Sequence, residues 1–230
     1  MKLTPGGALR RALTILGFAL ACAAPAFAAP PRGGTVNFLI EAEPPTLVTI
    51  AHTAGGSTRI SPKITEALLA YDLDFKPIPL LATAWEVSPD GLRYSFTLRQ
   101  GVKWHDGRDF TSADVAYSIK LLRESHPRGR GTFANVTEVQ TPDPFTAVLL
   151  LSKPAPYLLN ALDATESPIV PKHVYEGTDV LTNKNAVAPI GTGPFVFKEW
   201  VKGSHAIVER NPNYWDKGKP YLDRIVFRFI

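Results

Sequence analysis

Leu81-Ala82-Thr83-Ala84-Trp85-Glu86-Val87-Ser88-Pro89-Asp90-Gly91 decides the fold class, together with the residues that follow it. Ser88-Pro89-Asp90-Gly91 has type I turn chemistry, with Pro second to preset φ and Gly fourth. Beyond the turn, Leu92, Tyr94, Phe96 and Leu98 alternate with Arg93, Ser95, Thr97 and Arg99. That period of two predicts a half-buried antiparallel strand, and Trp85-Glu86-Val87 supplies its hairpin partner.

The pattern continues outward on both sides. Thr111 with Asp114 three residues on is a variant of the capping box, and Val115, Ile119 and Leu122 form an apolar stripe at helical spacing. Residues 123–131 read as a basic, glycine-containing loop. A second hairpin is predicted to turn at Thr141-Pro142-Asp143-Pro144, with residues 145–151 as its apolar return strand. Short helices are predicted near 156–164 and 171–176. A third hairpin joins 195–200 to 206–210 through Lys202-Gly203-Ser204. Ile225, Phe227 and Phe229 alternate with Val226 and Arg228, a strand pattern that runs to Ile230. An ending inside a strand pattern, with no polar tail, reads as a cut. Toward the N-terminus, residues 35–40 predict a first strand with Val36, Phe38 and Ile40 on one face. Residues 51–58, small and Gly-rich, read as a loop, and Ser61-Pro62 as the N-cap and first position of a helix. Ile64, Ala67 and Leu68 would give that helix its buried side.

Residues 1–28 read as an export signal. Lys2, Arg10 and Arg11 precede an apolar stretch, and Ala26-Phe27-Ala28 provides the small-x-small cleavage pattern. The apolar run is shorter than the roughly 20 residues a membrane span needs. Cys22, the single cysteine, offers a lipid-anchoring alternative, but Ala19 stands where a lipoprotein signal expects Leu. Cleavage after Ala28 leaves no cysteine and hence no disulfide or thiol chemistry. Residues 29–34 form a leader.

With 45% hydrophobic and 20% charged residues, the 230-residue chain can bury a real core. Of its 25 basic residues, 22 lie beyond residue 28, against 21 acids. A near-neutral balance excludes a dedicated nucleic-acid binder. No internal repeat or low-complexity tract interrupts the chain.

Catalytic patterns are missing from the sequence. It has no G-x-S-x-G elbow, no Walker-type phosphate loop and no H-E-x-x-H. The five histidines, His52, His105, His126, His173 and His205, lack metal-ligand spacing. His105-Asp106 sits between Trp104 and Gly107 and reads as a tight turn in which His105 is a surface or packing residue. Arg123, Arg128 and Arg130 read as a solvated basic loop, with an acidic partner as the sharper alternative. The four tryptophans and the Asn211-Pro212-Asn213-Tyr214-Trp215 loop read as packing elements, with an aromatic ligand wall as the alternative.

Several motifs in order point to one family. The 81–91 segment resembles a motif of extracellular solute-binding proteins of the peptide/nickel class, family 5, which serve ATP-binding-cassette importers. Tyr94-Ser95-Phe96-Thr97-Leu98-Arg99, Gly101-Val102-Lys103-Trp104-His105-Asp106-Gly107 and Phe110-Thr111-Ser112-Ala113-Asp114-Val115 extend the resemblance. So do Pro168-Ile169-Val170-Pro171-Lys172-His173-Val174, Gly191-Thr192-Gly193-Pro194-Phe195, Glu209-Arg210 with the loop to Trp215, and Lys219-Pro220-Tyr221-Leu222-Asp223. It covers residues 33–230, which correspond to the first part of a family whose members are about twice as long.

The resemblance implies an α/β fold of the type II periplasmic-binding-protein kind: a first lobe plus an extra α+β subdomain, with the second lobe missing from this sequence. The first lobe would comprise residues 29–75 and 186–230, and the subdomain residues 76–185. The implied function is a monomeric periplasmic receptor. It would capture oligopeptides or similar solutes, without a cofactor or metal of its own, and deliver them to a membrane permease and its ATPase. By position in the family layout, Thr53, Ala54, Gly55 and Gly56 would face the ligand cleft. Gly191, Thr192 and Gly193 are a second candidate, with a hinge or packing role as alternative, and Trp104 is a third. Half of a two-lobed clamp would bind ligand weakly. Ligand identity stays open, because such motifs stabilise a scaffold and do not read the ligand. The alternatives are a haem, nickel-chelate, opine or sugar binder on the same fold, a truncated product without function, and, least supported, a secreted hydrolase.

Overall fold

The computed structural model describes residues 31–230. The expected export signal and Cys22 lie outside the described residues. In chain order the strands are β1 (Thr35–Ile40), β2 (Leu69–Tyr71), β3 (Pro77–Pro79), β4 (Ala82–Val87), β5 (Arg93–Leu98), β6 (Val136–Asp143), β7 (Thr146–Leu151), β8 (Phe195–Val201), β9 (His205–Arg210) and β10 (Arg224–Phe229). The helices are α1 (Gly55–Ile64), α2 (Ser112–Ser125), α3 (Gly129–Thr132) and α4 (Lys172–Tyr175), with 3-10 turns at Thr49–Ala51, Leu158–Ala161 and Lys184–Ala186.

Two four-stranded sheets organise the chain. The first has the order β1-β10-β9-β8, with β1 parallel to β10 and the remaining pairs antiparallel. The second is antiparallel throughout, in the order β4-β5-β7-β6. Each has its own core. Ile40, Leu47, Ile60, Ile64, Phe195 and Phe227 pack under the first sheet, and a larger cluster around Phe96, Trp104, Phe110, Ile119 and Leu149 fills the second.

The deciding hairpin forms as its residues predict. Gly91 N–H donates to Ser88 O at 2.8 Å, Gly91 has φ +69°, and Tyr94, Phe96 and Leu98 are buried while Arg93 and Thr97 are exposed. On α2 the backbone N–H of Thr111 donates to the Asp114 carboxylate at 2.9 Å, and Val115, Ile119 and Leu122 face the core. The third hairpin turns at residues 202–204, with Gly203 at φ +72°.

Several expectations are corrected. Helix α1 starts at Gly55, not at Ser61, so Pro62 stands in its last turn and residues 55–58 are helical. The reason is tertiary. Ser57 Oγ donates to Thr46 O at 2.6 Å, and Ser61 Oγ accepts from Thr49 N at 3.2 Å, which anchors a stretch of weak intrinsic propensity. Ala67 and Leu68 are buried, but they follow the helix. The second hairpin turns two residues later than predicted: Asp143 still pairs with Thr146, and a bulge between Gln140 and Asp143 takes up Pro142. β6 is an edge strand, where a residue without an N–H is tolerated. The basic loop is partly helical, and Arg128 bonds the Glu166 carboxylate through two nitrogens. On β1 only Ile40 is buried; Val36 and Phe38 remain partly open to solvent.

Candidate functional site

β1 ends at Ile40, and after a turn through Pro44 the chain returns to start α1. The end of the strand and the first turn of the helix line a cleft of about 560 Å³. Phe38 and Leu39 are 40% and 59% exposed, so an apolar wall of the cleft is open to solvent. Glu41 and Arg59 add one charge of each sign. Gly56 is required by close approach: a Cβ there would meet Ala42 O at 3.0 Å and Pro44 Cβ at 3.1 Å. A Cβ on Gly55 would meet nothing within 4 Å, so backbone is accessible there. The first turn of α1 carries no acidic residue and no side-chain cap, so its N–H groups keep their partial positive charge. Of the loop expected to face a ligand, Gly55 and Gly56 line this cleft; Thr53 and Ala54 are half-buried and lead into it.

A second hollow of about 530 Å³ lies between α2 and α3, lined by Lys120, Arg123, Glu124, Arg130 and Ala134. Its walls are charged side chains with one methyl group. It fits solvated charge better than a pocket that buries a ligand.

Residues 191–193 form the joint between the sheets. All three are buried, with Thr192 only 1% exposed. A Cβ on Gly191 would lie 1.9 Å from Ile64 O, and one on Gly193 2.6 Å from it, because the segment runs directly against the end of α1. Gly193 N–H donates to Ile64 O at 2.9 Å. On the other side stands His105. Gly191 N–H donates to its Nδ1 at 3.2 Å, so Nε2 carries the proton and donates to Gly193 O at 3.0 Å. Burial lowers the His105 pKa, which keeps this neutral tautomer. The residue read as a turn neighbour is thus a packing residue that ties the Trp104–Gly107 turn to the first sheet. Asp106 accepts from Arg108 N at 3.2 Å and pairs with His173 at 2.7 Å. Trp104 is 2% exposed, edge-on to Phe110, inside the larger core.

The residue that sequence reasoning missed is Glu66. It is 3% exposed and accepts three side-chain hydrogen bonds: from Tyr214 Oη at 2.6 Å, Thr192 Oγ1 at 2.8 Å and Trp215 Nε1 at 2.9 Å. Burial pushes its pKa up to about 7, while the three donors and the Arg99 guanidinium pull the other way. Arg99 stacks over the Trp215 ring at 4.0 Å. One signal was available: Glu66 is the lone acid in the apolar run from Ile64 to Ala70.

The fold is that of type II periplasmic binding proteins. The chain resembles the oligopeptide-binding protein AppA of Bacillus subtilis, solved with a nonapeptide, with a TM-score of 0.79 and 28% identity over 88% of this chain and 41% of that one. It resembles AgaA of Agrobacterium tumefaciens, solved with agropinic acid, with a TM-score of 0.76 and 35% identity over 86% and 40%. Residues 76–230 match the bacterial extracellular solute-binding proteins, family 5 middle region, and the chain belongs to that family. Among its relatives, a Brucella ovis protein provisionally named an ABC transporter peptide-binding protein is 35% identical over 172 residues. The glutathione-binding protein GsiB of Salmonella typhimurium is 30% identical over 176. The chain spans about a third of the length of these two relatives (32% and 33%). The resemblance read from the motifs is borne out.

Proposed function

We propose that the chain is a solute-capturing component of an ATP-binding-cassette importer. It acts outside the cytoplasmic membrane and holds a peptide or peptide-like solute at the β1–α1 cleft. The observation that carries the reading is the composition of that cleft: an exposed apolar wall, backbone at Gly55 and Gly56, and the Glu41 and Arg59 charges. Such a surface suits a zwitterion with apolar side chains. In this reading residues 29–75 and 186–230 form one lobe and 76–185 a subdomain on it. Residues 191–193 and Trp104 hold the lobe and subdomain in shape and do not touch the ligand. Membership of a transport-protein family argues against an enzyme, and permease and ATPase partners follow from the same membership. Among the described residues no helix is long and apolar enough to cross a membrane.

An open cleft covers one side of a ligand, whereas tight capture buries most of its surface. The 230-residue chain is therefore expected to bind trialanine with a dissociation constant weaker than about 1 µM. Binding is expected to fall at least fivefold further in Leu39→Asp. Calorimetric titration with trialanine tests both. Binding that ignores Leu39→Asp sinks the assignment to this cleft, and a dissociation constant at or below about 1 µM overturns the expectation of weak binding. A second reading, an opine-like solute, is favoured by the 35% identity to AgaA. Agropinic acid in the same titration distinguishes it.

A further inference from the structure

The carboxyl of Glu66 faces donors of two kinds. Thr192 Oγ1 and Trp215 Nε1 both point at Oε2, at 2.8 and 2.9 Å, while Oε1 faces Tyr214 Oη alone, at 2.6 Å. An indole N–H can only donate, so Oε2 must always accept. Any proton that Glu66 carries therefore sits on Oε1. A phenol hydroxyl accepts as readily as it donates. When Glu66 is ionised, Tyr214 donates to it; when Glu66 is neutral, Glu66 donates to Tyr214. Both protonation states keep the Oε1–Oη contact, but in the neutral state the Tyr214 hydroxyl proton gives up its acceptor on Glu66.

The position matters as much as the chemistry. Glu66 follows α1, and its backbone carbonyl accepts from Ile169 N–H at 2.8 Å, in the part of the chain that packs on the second sheet. Its side chain holds Thr192, in the segment that leads into β8, and Tyr214 and Trp215, in the loop before β10. Other charged or titratable groups are at hand. Arg99, at the end of β5, favours the ionised form from over the Trp215 ring. His105 stands across the 191–193 segment, and Asp216 helps to keep the proton on Tyr214.

We propose that Glu66 is a proton-operated clasp between the two sheets. Gain or loss of one proton on Oε1 reverses the hydrogen bond to Tyr214 and changes how tightly the 191–193 segment and the Tyr214-Trp215 loop are held. No partner leaves in either state. Burial sets the working range by raising the Glu66 pKa to about 7, so the clasp responds to mildly acidic or neutral surroundings. Arg99 on Trp215 adds a cation that strengthens the charged state.

The test is a pH titration of the 15N-labelled chain from pH 5 to 9, following the assigned Trp215 indole N–H resonance. We expect this resonance to titrate with a midpoint near 7. Glu66→Gln should abolish the titration while keeping the fold. A Gln can place its oxygen at Oε2, where it accepts from Thr192 and Trp215, and an amide donor toward Tyr214 Oη, as the neutral acid does. Tyr214→Phe removes a donor that serves the ionised form and should raise the midpoint by about one unit. A merely structural contact would move neither midpoint. A wild-type midpoint below 5, or a titration that survives Glu66→Gln, overturns the proposal. Should Glu66→Gln fail to fold, an unchanged midpoint in Tyr214→Phe overturns it alone.

Discussion

His105 Nε2 donates to the carbonyl oxygen of Gly193 across 3.0 Å, and the same ring accepts the N–H of Gly191 through Nδ1. One imidazole thus clamps both ends of a three-residue segment 86 to 88 positions away in sequence. Truncation leaves a buried N–H without a partner, whereas Gly193 O keeps its bond from Asn211 Nδ2 at 3.0 Å. His105→Ala is therefore expected to cost about 2–4 kcal/mol in urea unfolding, from the orphaned donor and the lost packing. A cost under about 0.5 kcal/mol would show that the clamp contributes nothing.

Two titrating groups flank that segment, and their pH dependences have opposite sign. The Glu66 pKa is raised by burial to about 7, above its ordinary value of 4.5. Its contribution to stability is full below that ordinary value and is lost as pH rises through 7. The shift corresponds to about 3 kcal/mol. The His105 pKa is lowered by burial, so its contribution is full above the ordinary 6.5 and is lost as pH falls through the folded value. Thermal unfolding of Glu66→Gln should lose the decline between pH 5 and 8 and keep the acid-side loss. A wild-type curve that rises from pH 5 to 8, with Glu66→Gln rising in parallel, would contradict the sign.

The glycines make a sharper contrast. A methyl at Gly191 would lie 1.9 Å from Ile64 O, a backbone atom that cannot swing away, whereas one at Gly55 meets nothing. Gly191→Ala is expected to destabilise by about 3 kcal/mol or more. Gly55→Ala, in the first turn of α1, should stabilise by about 0.5–1 kcal/mol. Parallel chemical denaturation of the two variants checks both signs. A Gly191→Ala chain as stable as the wild type would mean that the segment is not packed against α1 as described.

The second sheet was legible because Leu92 to Arg99 alternate without exception and Val115, Ile119 and Leu122 keep helical spacing, so local pattern and tertiary role agree. α1 was not. Gly55-Gly56-Ser57-Thr58 has poor helix propensity, and Pro62 reads as a start, while hydrogen bonds from Ser57 to Thr46 and between Ser61 and Thr49 decide the outcome. The cleft was half legible, since the small-residue loop supplies Gly55 and Gly56 while Leu39, Glu41 and Arg59 carried no motif. Glu66 was legible only as a lone acid in an apolar run, and its role was not, because its partners come from 126 to 149 residues downstream.

β1 lies at one edge of the first sheet. Among the described residues it pairs only with β10, so one edge of the first sheet offers unpaired N–H and C=O groups. Beside that edge Leu39 is 59% exposed and Phe38 40%. A free edge flanked by apolar side chains favours pairing with another strand, and a lysine on such an edge suppresses it. Leu39 is far from buried, so Leu39→Lys should change unfolding stability by no more than about 0.5 kcal/mol. The same change should reduce concentration-dependent self-association in sedimentation velocity of the 230-residue chain. Equal association in both proteins would place the sticky surface elsewhere, and a large stability loss in Leu39→Lys would show that Leu39 is packed by something that covers β1.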